Sequence, residues 1–136
     1  MEDNGLRVAG GESPIDAAVQ AFIENSSEAV RFSTASGKSR LQHRAFERAE
    51  AAVRELLRHW DDGGHEALVR LLEHNDDGVR VSAAAYLAGN DPGRAIPVLE
   101  ELGTKQSPAS LTAHGTLFAI RHGAFSDPLK RLQSTL

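Results

Sequence analysis

The sequence contains no cysteine, which excludes a disulfide framework, a thiolate metal site and a cysteine nucleophile from the outset. Aromatic residues are scarce, 5% of the chain with one Trp and one Tyr. The apolar fraction rests on Ala and Leu instead, and that bias disfavours sheets and favours helices. No stretch approaches the roughly 18 apolar residues a membrane span needs. The opening MEDNGLRVAGGESP begins with two acids and lacks the apolar run of a secretion signal, so the expectation is a soluble, cytoplasmic protein with no membrane partner. Signatures of nucleotide binding and serine hydrolysis are missing too: there is no G-x-S-x-G, no P-loop and no G-x-G-x-x-G following a strand.

A chain of 136 residues supports one domain and is too short for two independent cores. Hydrophobic residues at 40% against charged residues at 25% exclude wholesale disorder. The net charge of −4 and pI near 5.8 give no whole-chain attraction for nucleic acid or anionic membrane.

Residues 1–12 carry three glycines and no periodicity and read as a flexible leader, with a single domain over 13–136. Ser13 suits an N-cap, Pro14 the first helical position, and Asp16 completes a capping box; Ile15, Val19, Phe22 and Ile23 then repeat at helical spacing, which predicts a helix over 14–32. After the small-residue loop Ser33 to Ser39, the stripe Phe46, Ala49, Val53, Leu57 and Trp60 predicts a second helix over 40–61, ending at Asp61-Asp62-Gly63-Gly64. Shorter helices follow over 65–74, 77–88, 95–103, 108–122 and 127–133. Pro97 is expected in the first turn of its helix, because an interior proline costs ~3 kcal/mol.

An internal repeat organises the second half. A shift of 30 residues places Leu68 on Val98, Leu72 on Leu102, Val79 on Ala109, Val81 on Leu111, Ala83 on Ala113 and Leu87 on Leu117, apolar on apolar throughout. The chain between 65 and 122 thus reads as two copies of one helical hairpin, whose wet faces become a continuous core when they stack. The first two helices are expected to cap the first copy.

The stretch Ala67 to Asn90, ALVRLLEHNDDGVRVSAAAYLAGN, resembles a HEAT repeat: an apolar first helix, a turn with Asp, then Val79-Arg80 and the Ala-rich second helix. The resemblance implies an all-α fold, a short α-solenoid of HEAT-like hairpins with a two-helix N-terminal cap. It also implies structural roles for Asp77 and Arg80, which in that family bridge neighbouring turns; the second copy has Ser107 and Ser110 at these places and lacks the bridge. Over about residues 14 to 125 the chain is also similar to the small bacterial HEAT-like family called domain of unknown function 2019, in LVRLLEHNDDGVRVSAAAYL and DPGRAIPVLEEL. That family brings no activity with it, although small helical proteins of this kind resemble toxin-neutralising immunity proteins.

Two surfaces stand out. Arg40, Arg44 and Arg48 recur at i, i+4 and i+8, near Lys38 and His43, and form a basic stripe at the start of the second helix. Like charges at that spacing, at the end of a helix that disfavours cations, oppose helix stability twice over. The second surface is made of small residues: with Val79, Ala83 and Leu87 inward, Ser82, Ala85 and Gly89 face outward, and the shift maps them onto Thr112, Gly115 and Ala119. A solvated helix carries long polar side chains on its free face, so this composition points to close approach by a partner protein, by a second subunit, or by the chain's own helix 2 or tail.

Of the six histidines, His59 and His65 flank Asp61 and Asp62, and His65-Glu66 is similar to the His-Glu pairs of HEAT-repeat iron hydroxylases. Those enzymes use several such pairs and this chain has one, so no metal, cofactor or catalytic residue is assigned. Adjacent acids such as Glu100-Glu101 point about 100° apart on a helix and do not converge on one substrate. The sequence therefore predicts a non-catalytic protein-protein interaction module, with neutralisation of a bacterial toxin as its most concrete version. Arg40, Arg44, Arg48, Ser82, Ala85, Thr112 and Gly115 are the candidate partner contacts. A nucleic-acid or phosphate binder using the basic stripe is the alternative, and a metalloenzyme the second.

Overall fold

The computed structural model describes residues 13–32 and 39–136, and all regular structure among them is helical. The elements are α1 (Pro14–Phe32), α2 (Ser39–Arg58), α3 (Gly64–Arg70), α4 (Asp77–Leu87), α5 (Pro92–Gly103), α6 (Pro108–Arg121) and α7 (Pro128–Gln133), with 3₁₀ turns at Trp60–Asp62 and Leu71–Glu73. The expected leader, Lys38 and most of the loop after α1 lie outside the described residues. None of the described helices is long and apolar enough to cross a membrane.

The helix starts follow the capping chemistry of the sequence. Ser13 Oγ accepts the Asp16 N–H at 3.0 Å, and Pro14 fills the first position of α1. Asp76 caps α4 by accepting the Val79 N–H at 3.1 Å, while its other carboxylate oxygen accepts from the Ser27 hydroxyl of α1 at 2.8 Å. One carboxylate thus starts α4 and ties it to α1. Asp127 caps α7 through the Leu129 N–H at 3.0 Å.

Between α2 and α3 the chain turns at Gly63, whose φ of 119° is left-handed and suits glycine. A side chain on the neighbouring Gly64 would collide with the Leu56 carbonyl oxygen, so α3 can lie this close to the end of α2 only with glycine there.

α5 begins at Pro92, three residues earlier than its periodicity suggested, and Pro97 is therefore inside the helix and not in its first turn. Asp91-Pro92 starts a helix well, and the Asp91 carbonyl accepts the Ala95 N–H at 3.0 Å. The bond Pro97 cannot donate would go to the carbonyl of exposed Gly93, which water can serve.

Helix α4 is the centre of the molecule, packed by α1, α5, α6, α7 and the 3₁₀ turn before it. Gly78, Val79, Val81, Ala83, Ala84, Tyr86 and Leu87 are buried. The largest fully buried side chains, among them Phe22, Leu56, Leu68, Leu87, Leu99, Leu102 and Leu132, come from elements spread along the chain and make one core. Phe46 departs from the expected stripe: it is 47% exposed, while Ala49, Val53 and Leu57 are buried.

Candidate functional site

Arg40, Arg44 and Arg48 are all exposed on α2, about 6 Å apart along its axis. No hydrogen bond or ion pair engages any of the three among the described residues. The acids of α2 are committed elsewhere. Glu47 pairs with His43 at 3.4 Å, and Glu50 with Arg54 at 3.5 Å and with Arg131 of α7 at 2.9 Å. Glu55 takes Arg58 at 2.7 Å and His59 at 3.2 Å, and the Arg58 guanidinium foremost holds its carboxyl below the usual range. No acid of α2 thus pairs directly with the row.

Beside Arg48 runs an open trough of about 490 Å³ between α1 and α2, floored by Pro14, Ala17, Ala21 and Ala51 and closed by Glu55. Of the three arginines only Arg48 lines this trough, and an unpaired guanidinium beside an apolar, small-residue floor suits a carboxylate-bearing surface that also brings apolar atoms. Another groove, about 970 Å³ between α3 and α5, is lined by charges of both signs, including Glu66, Arg70, Glu73 and Arg94, and selects no partner by charge.

Comparison with family models, curated proteins and solved structures returned no match. The site has to be read from its own geometry.

Asp77 and Arg80 join the two hairpins. Arg80 Nε donates to the Leu72 carbonyl at 3.0 Å, and its two terminal nitrogens donate to the Glu101 carboxylate at 3.2 and 3.0 Å. Asp77 stands 3.7 Å from Arg80 and 3.2 Å from Lys105. The Arg80 guanidinium holds the Glu101 carboxyl below its ordinary range, and Glu101 foremost raises Arg80 in turn. In the second copy Ser110 Oγ donates to the Gly103 carbonyl at 3.3 Å, a shorter version of the bond from Arg80 to Leu72. Ser107 sits at the N-cap of α6, but its hydroxyl is buried without a partner among the described residues.

The small-residue face expected on both copies is partly covered on both: Ser82, Ala85, Thr112 and Ala119 are half-buried, and Gly89 and Gly115 are exposed. Ser82 and Ala85 are half-buried, lining a mostly apolar cavity of about 250 Å³ closed by Ala29 and Val30 of α1, Phe46 of α2 and Thr112 of α6. Gly89 is exposed, but a side chain there would run into Asp127, at about 2.5 Å, so the segment before α7 passes close to that end. The reason is topological: α4 lies mid-molecule and its neighbours cover it. Gly115 on α6 is exposed, with nothing within 4 Å of where a Cβ would stand.

The histidine and acid clusters do not converge. His59 Nε2 lies 3.2 Å from Glu55, and the His65 ring stacks on Trp60 with centroids 4.7 Å apart. No group of three or more His, Asp or Glu is placed to hold a metal among the described residues. Sequence reasoning missed the exposure of Leu111 and Phe118, 64% and 65%. The signal was present: α6 carries one apolar stripe at Ala109, Ala113 and Leu117, which are buried, and a second at Leu111 and Phe118 on its other side.

Proposed function

We propose that this chain is a non-catalytic protein-binding module, a short α-solenoid of HEAT-like hairpins in which α1 and α2 form the end that meets a partner. The observation that carries this reading is the row Arg40, Arg44 and Arg48, exposed and unpaired while every acid of α2 is engaged elsewhere. A protein with an acidic surface and a small apolar ridge would pair with the arginines and settle in the alanine trough beside them. A bacterial toxin that presents an acidic surface is the most concrete partner, and binding would block it by steric and electrostatic exclusion with no covalent step. A cytoplasmic setting fits this role.

Affinity purification from the cell of origin, run in parallel with wild type and with Arg44→Glu plus Arg48→Glu, tests the reading. The double variant should keep its melting temperature, because rim arginines without partners support no fold contact. It should lose the captured protein through slower association, with a weaker dependence on salt. A partner retained equally by both forms places binding elsewhere. The same arginines also suit phosphates, so titration with labelled oligonucleotides decides the alternative: tight binding that falls steeply with salt makes this a nucleic-acid binder.

A further inference from the structure

The outer face of α6 is unlike the rest of the surface. Pro108, Leu111, Gly115, Phe118 and His122 follow one another at spacings of 3, 4, 3 and 4, and all are exposed. That is the seam spacing of paired helices. Between Pro108 and Ile120 the helix carries no Asp, Glu, Lys or Arg, whereas the free face of a solvated helix is normally charged. The His122 ring stacks on Phe118 with centroids 4.1 Å apart and holds the aromatic side chain against the helix.

In the first copy the equivalent face is mostly buried. The 30-residue shift maps Leu111, Gly115 and Phe118 onto Val81, Ala85 and Ala88. Val81 is fully buried, Ala88 is 5% exposed and Ala85 half-buried, on a helix that α1, α5, α6 and α7 all pack against. The equivalent face of α6 keeps the apolar residues but is exposed among the described residues.

We propose that this face pairs with the same face of a second copy of the chain, two α6 helices running antiparallel about a two-fold axis at Gly115. A two-fold interface must be self-complementary, and this one is. Leu111 lies four residues before Gly115 and Phe118 three after it, about 6 and 4.5 Å along the axis. Antiparallel pairing sets Leu111 of each copy against Phe118 of the other. Gly115 has open space where a Cβ would stand, so the two backbones can approach at the axis. Near such an axis any charge meets its own copy, and this stretch of helix has none. The proposal is independent of the arginine row on α2.

The absence of cysteine supplies a clean test. Gly115→Cys introduces a single thiol at the proposed axis, and a disulfide forms only where the two Cα atoms come within about 4.4 to 6.8 Å. Mild oxidation should cross-link Gly115→Cys at least about tenfold faster than Glu66→Cys, an exposed position on the far element α3, a ratio equivalent to about 1.4 kcal/mol of preferential encounter. Sedimentation velocity over micromolar to millimolar concentrations should show wild type dimerising and Phe118→Asp remaining monomeric at an unchanged melting temperature. A monomeric wild type throughout that range overturns the proposal. So does a dimer that Phe118→Asp leaves intact, or cross-linking no faster than the Glu66→Cys control. Should Phe118→Asp prove unfolded, the cross-linking ratio decides alone, since it requires no change to the apolar side chains.

Discussion

The two hairpins, α3 with α4 and α5 with α6, share one pattern and live in different surroundings. Their inward positions agree under the 30-residue shift: Val79, Ala83 and Leu87 are fully buried, and Ala109, Ala113 and Leu117 are 1%, 0% and 5% exposed. Their outward positions do not. Val81 is fully buried and its counterpart Leu111 is 64% exposed; Ala88 is 5% exposed and Phe118 65%. The same hydrophobic period serves the core in both copies, but burial of the outer face depends on what the rest of the chain lays over it. α4 is packed by α1, α5, α6 and α7, and α6 has an apolar face left uncovered among the described residues. The polar link follows the same division: Arg80 reaches across to Glu101 from the first copy, and Ser110 in the second bonds only within its own hairpin.

The sharpest way to stress this comparison is to hollow equivalent core positions. Leu87→Ala and Leu72→Ala should each cost ~2 to 5 kcal/mol, because both side chains are enclosed and the surrounding helices cannot collapse onto the gap. Leu117→Ala should cost less than Leu87→Ala, since the core ends beside it. Urea melts measure all three; losses below about 0.5 kcal/mol at Leu87 would mean that it is not enclosed.

A smaller contrast is expected at the polar link. Arg80→Met should cost about 1 kcal/mol, mostly the bond to the Leu72 carbonyl, and Ser110→Ala only a few tenths. The smallest effect concerns acid. Glu101 is held by Arg80 below its ordinary value of 4.5. A depressed carboxyl stabilises the fold above its unfolded value and loses that contribution as pH falls through the folded one. The melting temperature of wild type should therefore drop slightly more than that of Glu101→Gln as pH falls below 4.5. Parallel acid profiles for the two proteins would remove the ion pair from the account.

Much of the fold was legible in the sequence, because its signals are local. Ser13-Pro14 and the Asp-Asp-Gly-Gly turn are capping and turn chemistry that act within a few residues. α1 starts where the first predicts, while α2 ends at Arg58, before the expected 61, with a 3₁₀ turn at Trp60–Asp62. The start of α5 was misplaced because Pro97 was weighed as an interior proline, whereas one exposed carbonyl tolerates the missing bond. What was hard to read is non-local. Periodicity on α4 names Ser82 and Ala85 as outward, and it takes the packing of α1, α2 and α6 to make them cavity wall. Conversely, Leu111 was matched to Val81 as apolar on apolar, which is true of the residue and false of its surroundings. The basic row was legible because no other element is needed to place i, i+4 and i+8 on one helix face.

The most direct test replaces equivalent residues of the two copies with the same charge. Val81→Asp and Leu111→Asp should be melted side by side, at a dilution that keeps the chain monomeric so that self-association adds nothing to stability. Val81→Asp buries a carboxylate without a partner and should cost at least about 3 kcal/mol or leave the chain unfolded. Leu111→Asp stands in solvent and should stay within about 0.5 kcal/mol of wild type. Equal losses at the two positions would show that the outer face of α6 is as covered as that of α4, and would contradict the account.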